Sequence, residues 1–316
     1  MTYWDRRSFL KSAALGTAAL TLIPEYALKA ATHNTTMKPR FKISLAQWSL
    51  HRSLRNKTLD HLDFPRVAAI DFGIYGVEYV NTFFKDKASD SQYLAEMNAR
   101  ADDAGVKQLL IMIDGEGGLA ELDDTTRKTA VTNHYKWVEA AKTLGCHSIR
   151  VNAYGVSDDG AALHTAAVDG LGMLVSFAEK VGINVIVENH GGLSSDGKWL
   201  AGVIKEVNMP GCGTLPDFGN FCLKHADDGM GHSNCIEEYD RYLGVEELMP
   251  FAKAVSAKSY DFDAAGNETT IDYQRMIAIV KKSGYKGYLG IEYEGSRMSE
   301  HEGIIATKKL LERLIQ

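Results

Sequence analysis

The chain has 316 residues, 45% of them hydrophobic and 24% charged, with a formal net charge of −6. That balance supports a sizeable buried core and excludes a disordered or low-complexity chain. Its acidic sign excludes a protein that tracks nucleic-acid phosphates, whose affinity rests on a basic surface.

The first segment reads as an address rather than as part of a fold. Arg6-Arg7-Ser8-Phe9-Leu10-Lys11 precedes the apolar run SAALGTAALTLI, which is too short to cross a bilayer and leads to Pro24 and the small residues around Ala27 to Ala31. A twin arginine followed by Phe-Leu-Lys resembles the twin-arginine export signal, which carries folded proteins across the bacterial inner membrane. Residues 1–31 are therefore expected to be a removable signal, residues 32–40 a linker, and the mature protein periplasmic or otherwise exported. No cysteine closes the apolar run, so no stable membrane anchor is expected. Removing residues 1–31 takes away four basic and two acidic side chains and leaves 31 Lys+Arg against 39 Asp+Glu, a net charge of −8. Export also permits disulfides. Cys222 and Cys235 bracket a Gly- and Asp-rich loop and read either as a bridge or as two thiols, whereas Cys146 and Cys212 read as single buried residues.

Residues 41–316 read as one domain. Eight strand-like runs follow in order: FKISLAQW (41–48), IYGVEYVN (74–81), VKQLLIMI (106–113), HSIRVNAY (147–154), INVIVENH (183–190), CGTLPDFGN (212–220), AVSAKSYDF (254–262) and YLGIEYEG (288–295). Amphipathic stretches such as YLAEMNARADDAG and YQRMIAIVKKSG lie between them at helical spacing. Several end on a glycine that leads straight into the next strand, as in AGVKQ, LGCHS, VGINV and SGYKG, the pattern of a left-handed helix C-cap. Strands that alternate with helices predict a parallel sheet covered on the outside, and eight such units match an α/β fold of the (β/α)8 TIM-barrel type. A doubly wound sheet is the competing arrangement, but no G-x-G-x-x-G follows the first strand. GEGG at 115–118 comes after the third strand without that spacing and reads as a flexible loop.

A barrel of this kind carries its chemistry at the C-terminal ends of the strands. Side chains alternate along a strand. With Val185 and Val187 outward, Ile186, Glu188 and His190 point inward; the same phase turns Leu215, Asp217, Ser256, Lys258, Glu292 and Glu294 toward the interior. Carboxylates gathered in one low-dielectric cavity repel one another unless a cation or bound protons hold them, and a divalent metal with oxygen ligands is the economical solution.

ENH, DFGN, KSYDF and IEYEG, taken in this order and at these strand ends, resemble the xylose isomerase-like TIM barrels. The resemblance is to the sugar phosphate isomerase/epimerase group, which includes ketose 3-epimerases, hydroxypyruvate isomerases and inosose dehydratases, and it covers the chain after the signal. It implies a divalent metal (Mn, Mg or Zn) held by Glu188, Asp217, Glu292 and a histidine from the seventh strand. The sequence departs at that histidine, where Ser256-Ala257-Lys258-Ser259 replaces His-x-Lys-Asp. It departs again after the sixth strand, where Asp217-Phe218-Gly219-Asn220 replaces Asp-x-x-His. Either water, His190 or Glu294 completes the metal shell, or Lys258 supplies the positive charge without a metal.

The resemblance further implies proton abstraction beside a carbonyl through an enediolate, with Glu188 and Glu292 facing each other across the mouth as the acid/base pair and Asp217 and Lys258 orienting oxygen atoms. The expected substrate is a free, oxidised or glycosidic sugar. A dehydratase or lyase using the same enolate, or a sugar-binding barrel without catalysis, remains open. His190, Asn152, Trp48 and Glu294 are candidate substrate contacts. Asn152 also reads as a structural amide, and Trp48, with His51 near it, as core. Glu78 reads as a binding residue or as half of a buried ion pair that Arg150 could complete. Phe221 to Asp240, with His225, Asp227, Asp228 and His232, is an insertion that overhangs the mouth and can act as a lid. A small-molecule sugar is the expected partner, and the sequence is compatible with an oligomer.

Overall fold

A computed structural model describes residues 41–226 and 235–315. The export signal and linker lie outside the described residues, as do Asp227, Asp228 and His232 of the insertion. Ten strands are present among the described residues: β1 (Lys42–Ala46), β2 (Gly76–Val80), β3 (Lys107–Met112), β4 (Ser148–Asn152), β5 (Asn184–Glu188), β6 (Cys212–Leu215), β7 (Cys222–His225), β8 (Cys235–Glu238), β9 (Val255–Ser259) and β10 (Tyr288–Tyr293). Eight of them form one parallel sheet in the order β6-β5-β4-β3-β2-β1-β10-β9. Pro216 has no N–H to offer a ladder, and β6 stops before it. Parallel bridges Thr214–Ala252 and Asp217–Ser256 then join the β6 segment to the β9 segment and close the barrel.

The outer ring is made by α1 (His51–Arg55), α2 (Phe64–Phe72), α3 (Ser91–Asp103), α4 (Asp124–Thr143), α5 (Gly160–Ala178), α6 (Gly197–Val207), α7 (Arg241–Leu248), α8 (Tyr273–Lys282) and α9 (Glu300–Leu314). Most helix starts carry an aspartate whose side chain accepts a backbone N–H of the first turn: Asp90, Asp123, Asp159, Asp196, Asp240 and Asp272. Each such cap satisfies donors that the helix itself leaves free. The helix-ending glycines behave as the sequence predicts. Gly105, Gly145, Gly182 and Gly284 take φ of 65°, 69°, 77° and 82°, and a Cβ at any of them would meet nothing within 4 Å. Backbone conformation, not space, demands glycine there.

Strand phase sorts the core into two bodies. Val185, Val187, Leu289, Ile291 and Tyr293 pack outward under the helices, while Ala46, Val80, Leu110, Met112, Ile186, Leu215 and Ala254 fill the barrel interior. Glu78 stands in that interior too. It accepts a hydrogen bond from Ser44 Oγ at 2.6 Å and is 1% exposed, and its Oε2 has no partner among the described residues. Gly290 makes room for it, since a Cβ there would lie 2.6 Å from the carboxylate. The ion-pair reading of Glu78 does not hold, because among the described residues it has no ion-pair partner and Arg150 turns to other carboxylates. Burial raises its pKa to about 8, with the Ser44 bond opposing the rise and Glu292 and Glu188 adding to it.

One further expectation changes, and one open alternative is decided. The GEGG segment is not a free loop: Glu116 is buried and accepts from Trp137 Nε1 at 2.8 Å and Lys136 Nζ at 3.0 Å. The insertion is an antiparallel hairpin, β7 with β8, and Cys222 and Cys235 are joined by a disulfide with Cα atoms 5.7 Å apart. Cys146 and Cys212 are single and buried.

Candidate active site

Four adjacent strand ends meet at the mouth. Glu188 ends β5, Asp217 follows β6, Ser256 and Lys258 lie on β9, and Glu292 lies on β10. All five are buried. One carboxylate oxygen from each of Glu188, Asp217 and Glu292 lies within 4.8 Å of the other two. That spacing corrects the expectation that Glu188 and Glu292 oppose each other across a substrate. They converge on one point, so a sugar must sit over them rather than between them.

Local sequence builds this convergence. The Asn189 side chain donates to the Asp217 and Asn220 carbonyls at 3.0 and 3.1 Å and accepts from the Asp217 N–H at 2.8 Å, which stitches the loops after β5 and β6 together. Asp217 Oδ1 is taken up by the N–H groups of Gly219 and Asn220, each at 2.8 Å, which leaves Oδ2 for the interior. There Ser256 Oγ lies 2.5 Å from Asp217 Oδ2 and 3.1 Å from Glu292 Oε2, and its single proton serves one of them at a time. Lys258 Nζ sits 2.7 Å from Glu292 Oε1, 3.2 Å from Glu294 Oε2 and 3.8 Å from Asp217 Oδ2. On the β4 side, Arg150 Nη1 donates to Asp114 Oδ1 at 2.8 Å. Arg150 Nε is 2.6 Å from Glu188 Oε2, yet its N–H is not aimed at that oxygen, and neither atom has a hydrogen-bond partner. The contact is one of charge without a directed bond. Asn220 Nδ2 donates to Glu188 Oε1 at 3.1 Å, so Oε1 has a hydrogen bond and Oε2 only the Arg150 charge.

Two fixed cations thus face five carboxylates: Glu188, Asp217, Glu292, Glu294 and Asp114. Burial raises Glu188 and Asp217 above the ordinary carboxylate range; Arg150 opposes this at Glu188, as Lys258 does at Asp217. Glu292 is buried as well, but the charge and hydrogen bond of Lys258, with Arg150 and Ser256, overcome burial and hold it low. For Lys258 the same contest runs the other way: burial alone would lower it, and Asp217, Glu292 and Glu294 raise it well above its usual value. One carboxylate is therefore kept charged and two are poised to bind protons.

The donor set fits a divalent cation. It offers three hard carboxylate ligands on one point, a negative excess, and a buried oxygen of Glu188 with no hydrogen donor. Ser256 brings a hydroxyl where the resemblance placed an imidazole.

The remaining candidates line the rim. The half-buried Trp48 donates from Nε1 to Glu294 Oε1, stacks on His51 at 5.1 Å between ring centroids and carries the Arg55 guanidinium over its ring at 4.8 Å. Asn152 Nδ2 donates to Asp114 Oδ1 at 3.1 Å. His190, two residues past Glu188, is solvent-exposed at the mouth yet close enough to Arg150, Asp114, Lys258 and Glu292 to feel their charge, and burial of its ring together with Arg150 lowers its pKa. Sequence reasoning missed Asp114 and Asn189. Asp114 had a signal, since it ends the apolar run LLIMI as Glu188 ends its own strand. Asn189 had none, because the alternation of a continuing strand sends it outward.

The family profile of xylose isomerase-like TIM barrels matches residues 67–314. Among solved structures, a xylose isomerase domain protein from Planctomyces limnophilus aligns with a TM-score of 0.63 at 19% identity, over 88% of this chain and 97% of that one. D-psicose 3-epimerase from Clostridium cellulolyticum H10 aligns with a TM-score of 0.66 at 11% identity, over 87% and 100%. A 3-keto-D-glucoside 4-epimerase from E. coli aligns with a TM-score of 0.57 at 15% identity, over 86% and 99%. At these identities the likeness is one of fold. A 76-residue segment is 38% identical to the C-glycoside deglycosidase alpha subunit of Arthrobacter globiformis, and the match spans 22% of each chain.

Proposed function

This chain belongs to the xylose isomerase-like TIM-barrel family, and we propose that it is a sugar isomerase or epimerase that removes a proton beside a carbonyl. Its substrate is a free, oxidised or glycosidic sugar outside the cytoplasm, a location supported by the twin-arginine pattern and the Cys222–Cys235 bridge. One observation carries the reading: Glu188 is a buried carboxylate of raised pKa that converges with Asp217 and Glu292 and whose Oε2 lies against the Arg150 guanidinium without a hydrogen bond among the described residues. A base of that kind takes a proton from carbon and holds it long enough to return it.

Glu188 accepts the proton while Asn220 at Oε1 and Arg150 beside Oε2 keep the carboxylate from rotating. The electron pair of the broken C–H bond passes to the carbonyl oxygen. Lys258 is the donor we assign to that oxygen, held in place by Glu292 and Glu294, while the Ser256 proton stays with the carboxylates. Glu188, Asp217 and Glu292 would hold a divalent cation (Mn, Mg or Zn), which supplies positive charge to the developing enediolate. Return of the proton by Glu188 to the neighbouring carbon gives an isomerase. Return to the opposite face of the same carbon gives an epimerase, and Glu292, held charged by Lys258 on the same side as Glu188, serves that reading as a cation ligand. Trp48, Glu294, Asn152 and His190 form the rim that receives the sugar.

The match to a deglycosidase subunit favours a second reading, in which the same enolate expels the substituent on the next carbon with the electron pair of the breaking bond. The test is incubation of the mature protein with free and 3-oxidised sugars in deuterated water, with added Mn, Mg or Zn and with chelator. Deuterium entering the carbon beside the carbonyl, and absent in Glu188→Gln, supports the proposal. Release of the substituent identifies the elimination, and binding without exchange leaves a sugar-binding barrel.

A further inference from the structure

The hairpin encloses a space that the mechanism does not use. A cavity of about 370 Å³ lies between β7–β8 and the ends of β5, β6 and β9, walled by His190, Asn220, Tyr260, Arg241 and the Cys222–Cys235 bridge. That size falls within the range of small-molecule sites. None of Glu188, Asp217 or Glu292 lines it, so it is a compartment beside the reacting point. Asn220 connects the two, since its side chain walls the cavity and donates to Glu188. The cavity therefore begins one side chain away from the proposed base.

Its walls are built in. Phe221, at the root of the hairpin, is fully buried, and Gly244 of α7 admits it, because a Cβ there would lie 2.2 Å from the Phe221 ring. Tyr260 closes over Gly219, where a Cβ would lie 2.5 Å from the phenol oxygen. The Tyr260 ring and the disulfide give the compartment apolar surface suited to the face of a ring. Arg241 gives it polarity: its Nη2 donates to Glu238, and its buried Nη1 has no hydrogen-bond partner among the described residues. A buried donor without an acceptor is costly, and a ligand oxygen placed there removes that cost.

We infer that this cavity is the subsite for the group attached to the reacting sugar, a second ring that presents an acceptor oxygen to Arg241. The inference rests on the sugar reading above and narrows its substrate class from a bare monosaccharide to a glycoside of a hydroxylated ring. The barrel handles the carbon beside the carbonyl, and the hairpin selects what that sugar carries.

The test is titration calorimetry of the mature protein with methyl, phenyl and 4-hydroxyphenyl glucosides, none of which is oxidised and so none of which turns over. The 4-hydroxyphenyl glucoside is expected to bind about tenfold tighter than the methyl glucoside. Arg241→Met should remove most of that preference, and Arg241→Lys, which keeps a donor, should restore part of it; thermal melts check that both variants fold. Equal affinity for the methyl and 4-hydroxyphenyl compounds in the wild type overturns the inference, as does a preference that survives in Arg241→Met. Deuterium exchange on an oxidised methyl glycoside separates the two proposals. Exchange without an aryl preference removes the subsite alone, whereas an Arg241-dependent preference without exchange supports the cavity as a binding site and removes the isomerase reading.

Discussion

At the barrel mouth, Lys258 and Arg150 are 1% and 3% exposed and are hemmed in by carboxylates, whereas in the hairpin above it every residue of β8 is exposed and one disulfide ties the strands. The mouth keeps its geometry because moving any one charge leaves another buried without a partner. The hairpin has little buried surface to protect it, and a covalent bond does what packing does elsewhere. The difference separates two tasks: the mouth must hold reacting groups to within a fraction of an ångström, while the hairpin has only to stay in place over them.

The comparison is broken hardest at Glu188. Glu188→Gln keeps the shape and the Asn220 contact but cannot accept a proton, and deuterium exchange should fall by about 10²- to 10⁴-fold, followed by NMR. Lys258→Met attacks the mouth through stability. It leaves Glu292 and Asp217 buried without their cation and should cost roughly 3–5 kcal/mol in urea unfolding at pH 7. That loss should shrink toward acid pH, where the orphaned carboxylates take up protons instead of remaining charged. An equal loss at both ends of the range would mean that Lys258 acts through packing.

Glu78 sharpens the same contrast with the opposite sign. Its folded pKa is raised from 4.5 to about 8, so the wild type binds an extra proton on folding between those values and loses stability as pH rises through that window. Glu78→Gln still accepts from Ser44 and does not titrate. The variant should be more stable than the wild type by a few kcal/mol above pH 8 and should lose that advantage toward pH 4.5, as read from denaturant midpoints across pH. The smallest effect belongs to the hairpin. Reducing Cys222–Cys235 should speed amide exchange in 222–225 and 235–238 and leave β1 to β6 protected, because the hairpin opens locally without the barrel.

Much of the site was legible in strand phase. Glu188, Asp217, Lys258 and Glu292 each stand two residues beyond an inward neighbour on a strand whose alternation is regular, so their common direction could be read without coordinates. Phase failed where strands stop. His190 stays beside the site but at its solvent edge, and Asn189, outward on paper, turns back to bind Asp217 and Asn220. Glu78 was legible as an inward carboxylate, but its partner was not, because Ser44 and Gly290 reach it from neighbouring strands whose register no local pattern encodes.

The amino-acid order by itself determined the eight-unit barrel, through apolar alternation, helical spacing and left-handed glycines, all of which act within a few residues of one another. It also determined that polar groups end adjacent strands. Only the tertiary structure decided which of those groups touch. Closure of β6 onto β9 brings Ser256 to Asp217, pairing of β9 with β10 brings Lys258 to Glu292, and the disulfide folds the insertion into a wall. Coulomb energies and hydrogen bonds depend on distances set by chain segments far apart in sequence, so the charge state and reach of each group emerge when the barrel closes.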